Sequence, residues 1–182
     1  CCENHKDNLN VKNYNLALGD SESEVDIIDA GTLSTIDKDV IELYSKISQF
    51  SGAFNSSNSY HKIKLNTLDN ILFENNINNI DVLVLDVEGY EENVLKGFSI
   101  EKYNPTIFII EISDQHPDFI NNKIMMNKYG KLRKYFKSNN YSLLVNDVVD
   151  NVYIHDDIYK TINTNKINTI KNFIKFPQYI ET

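Results

Sequence analysis

Apolar positions in this chain arrive in short runs set between long polar stretches. Residues 82–85 (V-L-V-L, within 80–85) and 107–110 (I-F-I-I, within 106–112) are continuous and of strand length. Such runs suit strands buried on both faces of a parallel sheet. Residues 61–65 (H-K-I-K-L) alternate, residues 13–18 and 25–28 carry shorter apolar stretches, and all three read as strands, 25–28 edge-like. Thr67 precedes Leu68, Ile71 and Leu72 at helical spacing and is the expected N-cap. Residues 90–96 predict a helix stopped at Gly97, and Tyr129, Leu132, Tyr135 and Phe136 predict another over 127–138. Residues 141–145 and 151–154 read as two closing strands joined by a hairpin-like link over 147–150. Residues 29–59, rich in Ser, Asn and Gly, carry one short periodic segment at Val40, Ile41, Tyr44 and Ile47 that fits a short helix, and are otherwise expected to be a variable insertion or mobile loop. Strands alternating with helices predict an α/β sheet whose last two strands are antiparallel.

Both dominant runs end in an acid. Asp86 follows Val82–Leu85, Glu88 stands two residues on, and Gly89 permits a tight turn before the next helix. The second run ends Ile110-Glu111-Ile112. In open α/β sheets ligands bind outside the carboxyl ends of the strands. Asp86 and Glu111 are therefore expected on one rim, where paired carboxylates can hold a hard divalent cation or act as a general base. Plainer roles stay open for each: Asp86 as a helix cap, Glu88 as an ordinary first-turn acid, Glu111 as a satisfied structural acid. His116 directly follows the second acid-tipped strand, and imidazole is a side chain suited to proton transfer near neutrality. An exposed loop histidine is its alternative reading. His61 reads as structural, and nothing points to His5 or His155.

The string L-D-V-E-G-Y-E-x-x-V-L-K-G, residues 85–97, resembles the signature of FkbM-type methyltransferases. Four further blocks agree in order and spacing: N-L-A-L-G-D at 15–20, K-L-N-T-L-D at 64–69, the segment from Asn104-Pro105 to Glu111-Ile112, and N-N-Y at 139–141. Together the resemblance covers about residues 11–155. It implies a Rossmann-like class I methyltransferase sheet, mostly parallel with antiparallel closing strands, over residues 1–156; the tail at 157–182, which alternates Lys, Asn, Thr and Ile, reads as helical or partly disordered. It also implies S-adenosylmethionine as methyl donor and O-methylation of a sugar or natural-product-like hydroxyl. Under it Ala17 and Leu18 lie near the adenine, Asp86 near the methionine end and the acceptor, and Glu88 shapes the same pocket. Asp86, with Glu88 or His116, then orients or deprotonates the acceptor. A Mg²⁺ held by Asp86 and Glu111 is the alternative route to the same activation. The family's first strand and glycine-rich loop have no counterpart, since no G-x-G occurs in the sequence. The N-terminal strands are thus expected to be missing, and residues 1–182 alone to bind the donor weakly and to be inactive.

Composition narrows the rest. A formal net charge of -8 disfavours nucleic acid as a partner. Lys131, Arg133, Lys134 and Lys137, the densest basic group, read as one solvated helix face. Cys1 and Cys2 are adjacent and unaccompanied, which excludes a disulfide framework and a cysteine zinc site and favours a cytoplasmic, reducing compartment. No run reaches the length of a membrane span. The acceptor is expected to be a small molecule or glycan. A degenerate binding or scaffolding module without catalysis is the rival reading, and a metal-dependent hydrolase using Asp86, Glu88 and Glu111 a third. Nothing in the sequence sets an oligomeric state.

Overall fold

The computed structural model describes residues 10–54 and 60–162. Seven strands form two sheets among these residues. β1 (Ala17–Leu18) and β2 (Ser23–Ile28) flank β3 (Tyr60–Asn66), with β1 parallel and β2 antiparallel to it. The second sheet runs β4 (Val82–Leu85), β5 (Ile107–Glu111), β7 (Asp150–His155), β6 (Tyr141–Asn146). β4 and β5 are parallel, whereas β7 is antiparallel to both β5 and β6. The closing strands are antiparallel as expected. The sheets as a whole are mixed rather than mostly parallel, with two parallel pairings and three antiparallel ones among the described residues. This mixed α/β arrangement is consistent with a methyltransferase-like fold.

Helices follow the local chemistry of their ends. α1 (Lys38–Tyr44) is capped by Asp37, whose side chain accepts from the amides of Asp39 and Val40. A single turn, α2 (Ser48–Ser51), follows, flanked by 3₁₀ turns at Gly31–Leu33 and Gly52–Phe54. α3 (Leu68–Glu74) begins at Thr67, whose side chain accepts from the Asn70 amide, so the expected N-cap is present. α4 (Glu91–Lys96), short α5 (Ile100–Tyr103) and α6 (Lys123–Ser138) come next. α7 (Asp156–Thr161) starts from His155, whose ring accepts from the Asp157 amide. Of the tail, residues 163–182 lie outside the described residues, as do His5, Cys1 and Cys2.

Residues 29–54 are not a loop. Val40 and Tyr44 on α1, with Phe54, join the main core beside Leu85, Val94, Phe108, Ile110, Phe119, Leu132 and Phe136. The periodic segment marks an amphipathic helix with a core to cover, which the surrounding polar residues obscure.

β4 departs from its expected burial. Leu85 is buried, but Val82 and Val84 remain 48% and 59% exposed, and β4 has one hydrogen-bonded neighbour among the described residues. The strand is therefore covered on one face rather than two. α6 also departs from its charge pattern. Arg133 turns inward to form a two-point ion pair with Asp114 and donates to the Tyr153 hydroxyl (3.1 Å) and to Asn151 Oδ1 (3.3 Å). Lys131, Lys134 and Lys137 are the solvated members.

At Gly97 the C-cap of α4 meets β1. A β-carbon there would stand 2.0 Å from the Gly19 carbonyl oxygen, a backbone atom that cannot rotate away. Gly97→Ala is expected to destabilise the protein by about 1–3 kcal/mol, read as a lower urea midpoint at unchanged slope.

Candidate functional site

The register of β4 on β5 builds the site. Leu85 pairs with Ile110, so the next residues along the two strands are Asp86 and Glu111, and Glu111 itself pairs across to Asp150 of β7. Three acids therefore stand in a row at one end of the sheet. Asp86, Glu88 and Glu111 each place an oxygen within 4.8 Å of the others. This is the rim on which the sequence placed them.

Glu88 comes to the rim through an unusual turn. It has φ +51°, and Gly89 follows at φ +91°. A non-glycine residue in this region is uncommon and costs free energy, so contacts must hold it there. Glu91 supplies two of them. Its Oε1 accepts from the amides of Val87 (3.2 Å) and Gly89 (3.1 Å), and the residue is 2% exposed. Asp86 does not cap α4: the N-cap is Tyr90, with no side-chain cap hydrogen bond. Asp86 is exposed, which leaves its carboxylate available at the rim.

The crowding of carboxylates changes their acidity. Burial, with the nearby charges of Glu111, Asp86 and Glu91, pushes Glu88 up to about 8. Burial and Glu111 push Glu91 up to about 7, against its hydrogen bonds to backbone amides. Glu111 is raised by burial and by Asp86 and Asp150, and Ser113 opposes this by donating to Glu111 Oε1 at 3.0 Å. Asp150 is raised by burial and by Asp86 and Asp147. Two phenols feel the charge of these acids. Tyr44 lies 3.4 Å from Glu88 Oε2, and both Tyr44 and Tyr129 are raised by burial and then by Glu111. A wall of this kind favours a positive or hydroxyl-bearing ligand.

His116 follows on the turn after β5. Its Nδ1 accepts from the Asp118 amide at 3.2 Å, and its ring packs 4.9 Å from Phe119. No hydrogen bond joins it to Asp86, Glu88 or Glu111 among the described residues. Ala17 and Leu18 sit on β1, opposite Leu65 and Asn66, in the other sheet. Thr35, Tyr44, Glu91, Ser113, Tyr129 and Asp150 were not singled out from the sequence. For Glu91 the signal was present, since an acid two residues after Gly89 can reach back to the amides of its own turn. The others become neighbours of the rim only through tertiary packing.

The rim would suit the sulfonium and ammonium, and not the carboxylate, of the donor that the resemblance implies, S-adenosylmethionine. Asp86, Glu88 and Glu111 are the residues that would hold it. For the adenosine end the chain offers no G-x-G loop.

In their ordinary states Glu88 and Glu91 ionise near 4.5, so in the folded protein both keep a proton to higher pH. Their contribution to stability is full below about pH 4.5 and is lost as pH rises through 7 to 8. In EDTA, the thermal midpoint should fall as pH is raised from 5 to 8, and Glu88→Gln should remove about half of that fall. An equal fall in the variant would show that Glu88 is not one of the groups responsible.

The family model described as Methyltransferase FkbM domain matches residues 1–143. No curated protein and no solved structure matches the chain.

Proposed function

The chain belongs to the FkbM methyltransferase family, and from that premise we propose that it transfers a methyl group from S-adenosylmethionine to the oxygen of an acceptor hydroxyl. The acceptor class is a sugar or natural-product-like small molecule, free or within a glycan. The observation that carries this reading is the row of acids at the ends of β4 and β5. Asp86, Glu88 and Glu111 lie within 4.8 Å of one another where two parallel strands end, beside a left-handed turn.

The donor supplies an electrophilic methyl carbon on a positively charged sulfur. Methyl transfer forms one oxygen–carbon bond and breaks one sulfur–carbon bond, and the hydroxyl proton must leave. Positioning supplies much of such a reaction's acceleration. Asp86, exposed at the tip of β4, is placed to accept a hydrogen bond from the acceptor hydroxyl and to orient it. Glu88, held near 8, is a stronger base than an ordinary carboxylate and ionises close to working pH, which suits it to take the proton. Asp86 and Glu111 face the donor's positive charge. His116, on the turn after β5, is the other candidate to help Asp86 with this proton.

Mg²⁺ held by Asp86 and Glu111, with Glu88 as a third ligand, is a second way to acidify the acceptor. Loss of activity in EDTA, restored by Mg²⁺, is the result that requires it. Full activity in EDTA removes the ion from the mechanism.

Calorimetric titration of S-adenosylhomocysteine into the full-length protein tests the donor site. The expected result is saturable binding with a micromolar Kd that weakens about tenfold or more in Asp86→Ala, the loss of one charge-assisted contact. No heat of binding in the unsubstituted protein would favour a non-catalytic module instead.

A further inference from the structure

We infer that Thr35 and Tyr44 are positioning residues of this site: together they hold the Glu88 turn in its left-handed conformation and fix where the Glu88 carboxylate stands relative to Asp86 and Glu111. The catalytic meaning of this role rests on the methyl-transfer reading above, while the clamp itself does not. Glu88 at φ +51° and Gly89 at φ +91° do not hold themselves. Glu91 secures the amides on either side of Glu88, at Val87 and Gly89, and leaves the Glu88 carbonyl and carboxylate to be held by other segments.

Residues 35–44 hold both. The Thr35 hydroxyl donates to the Glu88 carbonyl oxygen at 2.8 Å, and its oxygen accepts from the Asp37 amide at 3.0 Å. That second bond fixes the hydroxyl rotor, so the proton points at Glu88. Thr35 is 2% exposed, so this hydroxyl has been taken out of water to make these bonds. Val40, fully buried, lies against Gly89: a β-carbon at Gly89 would come within 2.3 Å of Val40 Cγ2. The turn therefore needs glycine for space as well as for φ. Tyr44, one helical turn beyond Val40 on the same face of α1, is packed by Phe50, Phe54 and Phe119 at ring separations of 4.9, 5.4 and 5.8 Å. This packing leaves its hydroxyl 3.4 Å from Glu88 Oε2.

The clamp is itself anchored. Asp37 caps α1 and pairs with Lys128 of α6 at 2.5 Å, with both side chains largely buried. Gln49 of α2 donates to Asp118 at 2.5 Å, which ties the same segment to the turn after β5. A purely structural α1 would need the Val40 and Phe contacts alone. A hydroxyl on the Glu88 carbonyl and another at its carboxylate are directed at one residue.

The test uses the full-length protein with Thr35→Val and Tyr44→Phe, which remove the hydroxyls and keep most of the volume. Amide hydrogen exchange by NMR in Thr35→Val should quicken about tenfold or more at Val87 and Gly89, the two amides that Glu91 holds, with β5 and α6 unchanged. Thr35→Ser should restore slow exchange. In Tyr44→Phe the Glu88 side-chain carboxyl carbon resonance should move, while those of Asp86 and Glu111 stay in place. Unchanged exchange at the turn and an unmoved Glu88 resonance overturn the inference. So does faster exchange spread equally over β5 and α6, because that reports lost global stability rather than a local clamp. Titration of S-adenosylhomocysteine into the unsubstituted protein separates the two levels: failure there removes the methyl-transfer reading and leaves the exchange result to decide the clamp.

Discussion

The amide protons of Val87 and Gly89 point at one carboxylate oxygen of Glu91, and the change from β4 to α4 is decided there. Helix starts leave backbone donors without partners, and a buried donor left alone costs about 1–3 kcal/mol. An acid in the first turn can satisfy them only if the chain folds back tightly. Here the tight fold is bought with two successive residues at positive φ, one of them not glycine. Because Glu91 closes the turn, Asp86 has no capping to do and remains free at the strand tip. The site exists because one acid of the string D-V-E-G-Y-E is structural and two are not.

That division has an electrostatic consequence. Asp86 meets Glu111 across parallel strands, Glu111 meets Asp150 across antiparallel ones, and Glu88 leans in from the turn. Like charges this close oppose one another, and burial adds to the cost, so Glu88, Glu111 and Asp150 take up protons more readily than isolated carboxylates do. Protonation, a cation, or a ligand carrying positive charge each relieve the strain.

The sequence disclosed the local part of this arrangement and not the part that depends on long-range packing. Strand ends, the Thr67 cap, the Gly97 stop and the antiparallel hairpin at the end were legible because each is written within a few residues. Asp86, Glu88 and Glu111 were legible because an acid closing an apolar run is conspicuous. Asp150 was not, since only the β5–β7 register brings it opposite Glu111. Arg133 read as one more exposed lysine-like charge, because nothing in α6 itself shows that Asp114 waits on the turn after β5. Val82 and Val84 read as doubly buried from their run of valine and leucine, yet covering a second face takes another element, and pattern cannot supply it. His116 looked well placed by its proximity in sequence to Glu111. The turn between them packs its ring on Phe119, which stacks in turn on Tyr44 beside Glu88.

Residues 29–54, where the short helix was legible but its place in the core was not, have the most to say about how the site is held. Ser, Thr, Asn and Asp signal loops because their side chains bond local backbone, and in this segment two of them do so while also reaching far along the chain. Asp37 caps α1 and pairs with Lys128, 91 positions away, and Thr35 bonds Asp37 and the Glu88 carbonyl, 53 positions away. A polar stretch whose side chains serve both ends in this manner can be as ordered as an apolar one. It also suits the task better, because an aliphatic clamp could press on the turn but could not satisfy the Glu88 carbonyl. The strained turn next to four raised acids thus depends on hydroxyls and one short helix drawn from a segment that composition alone assigns to the periphery.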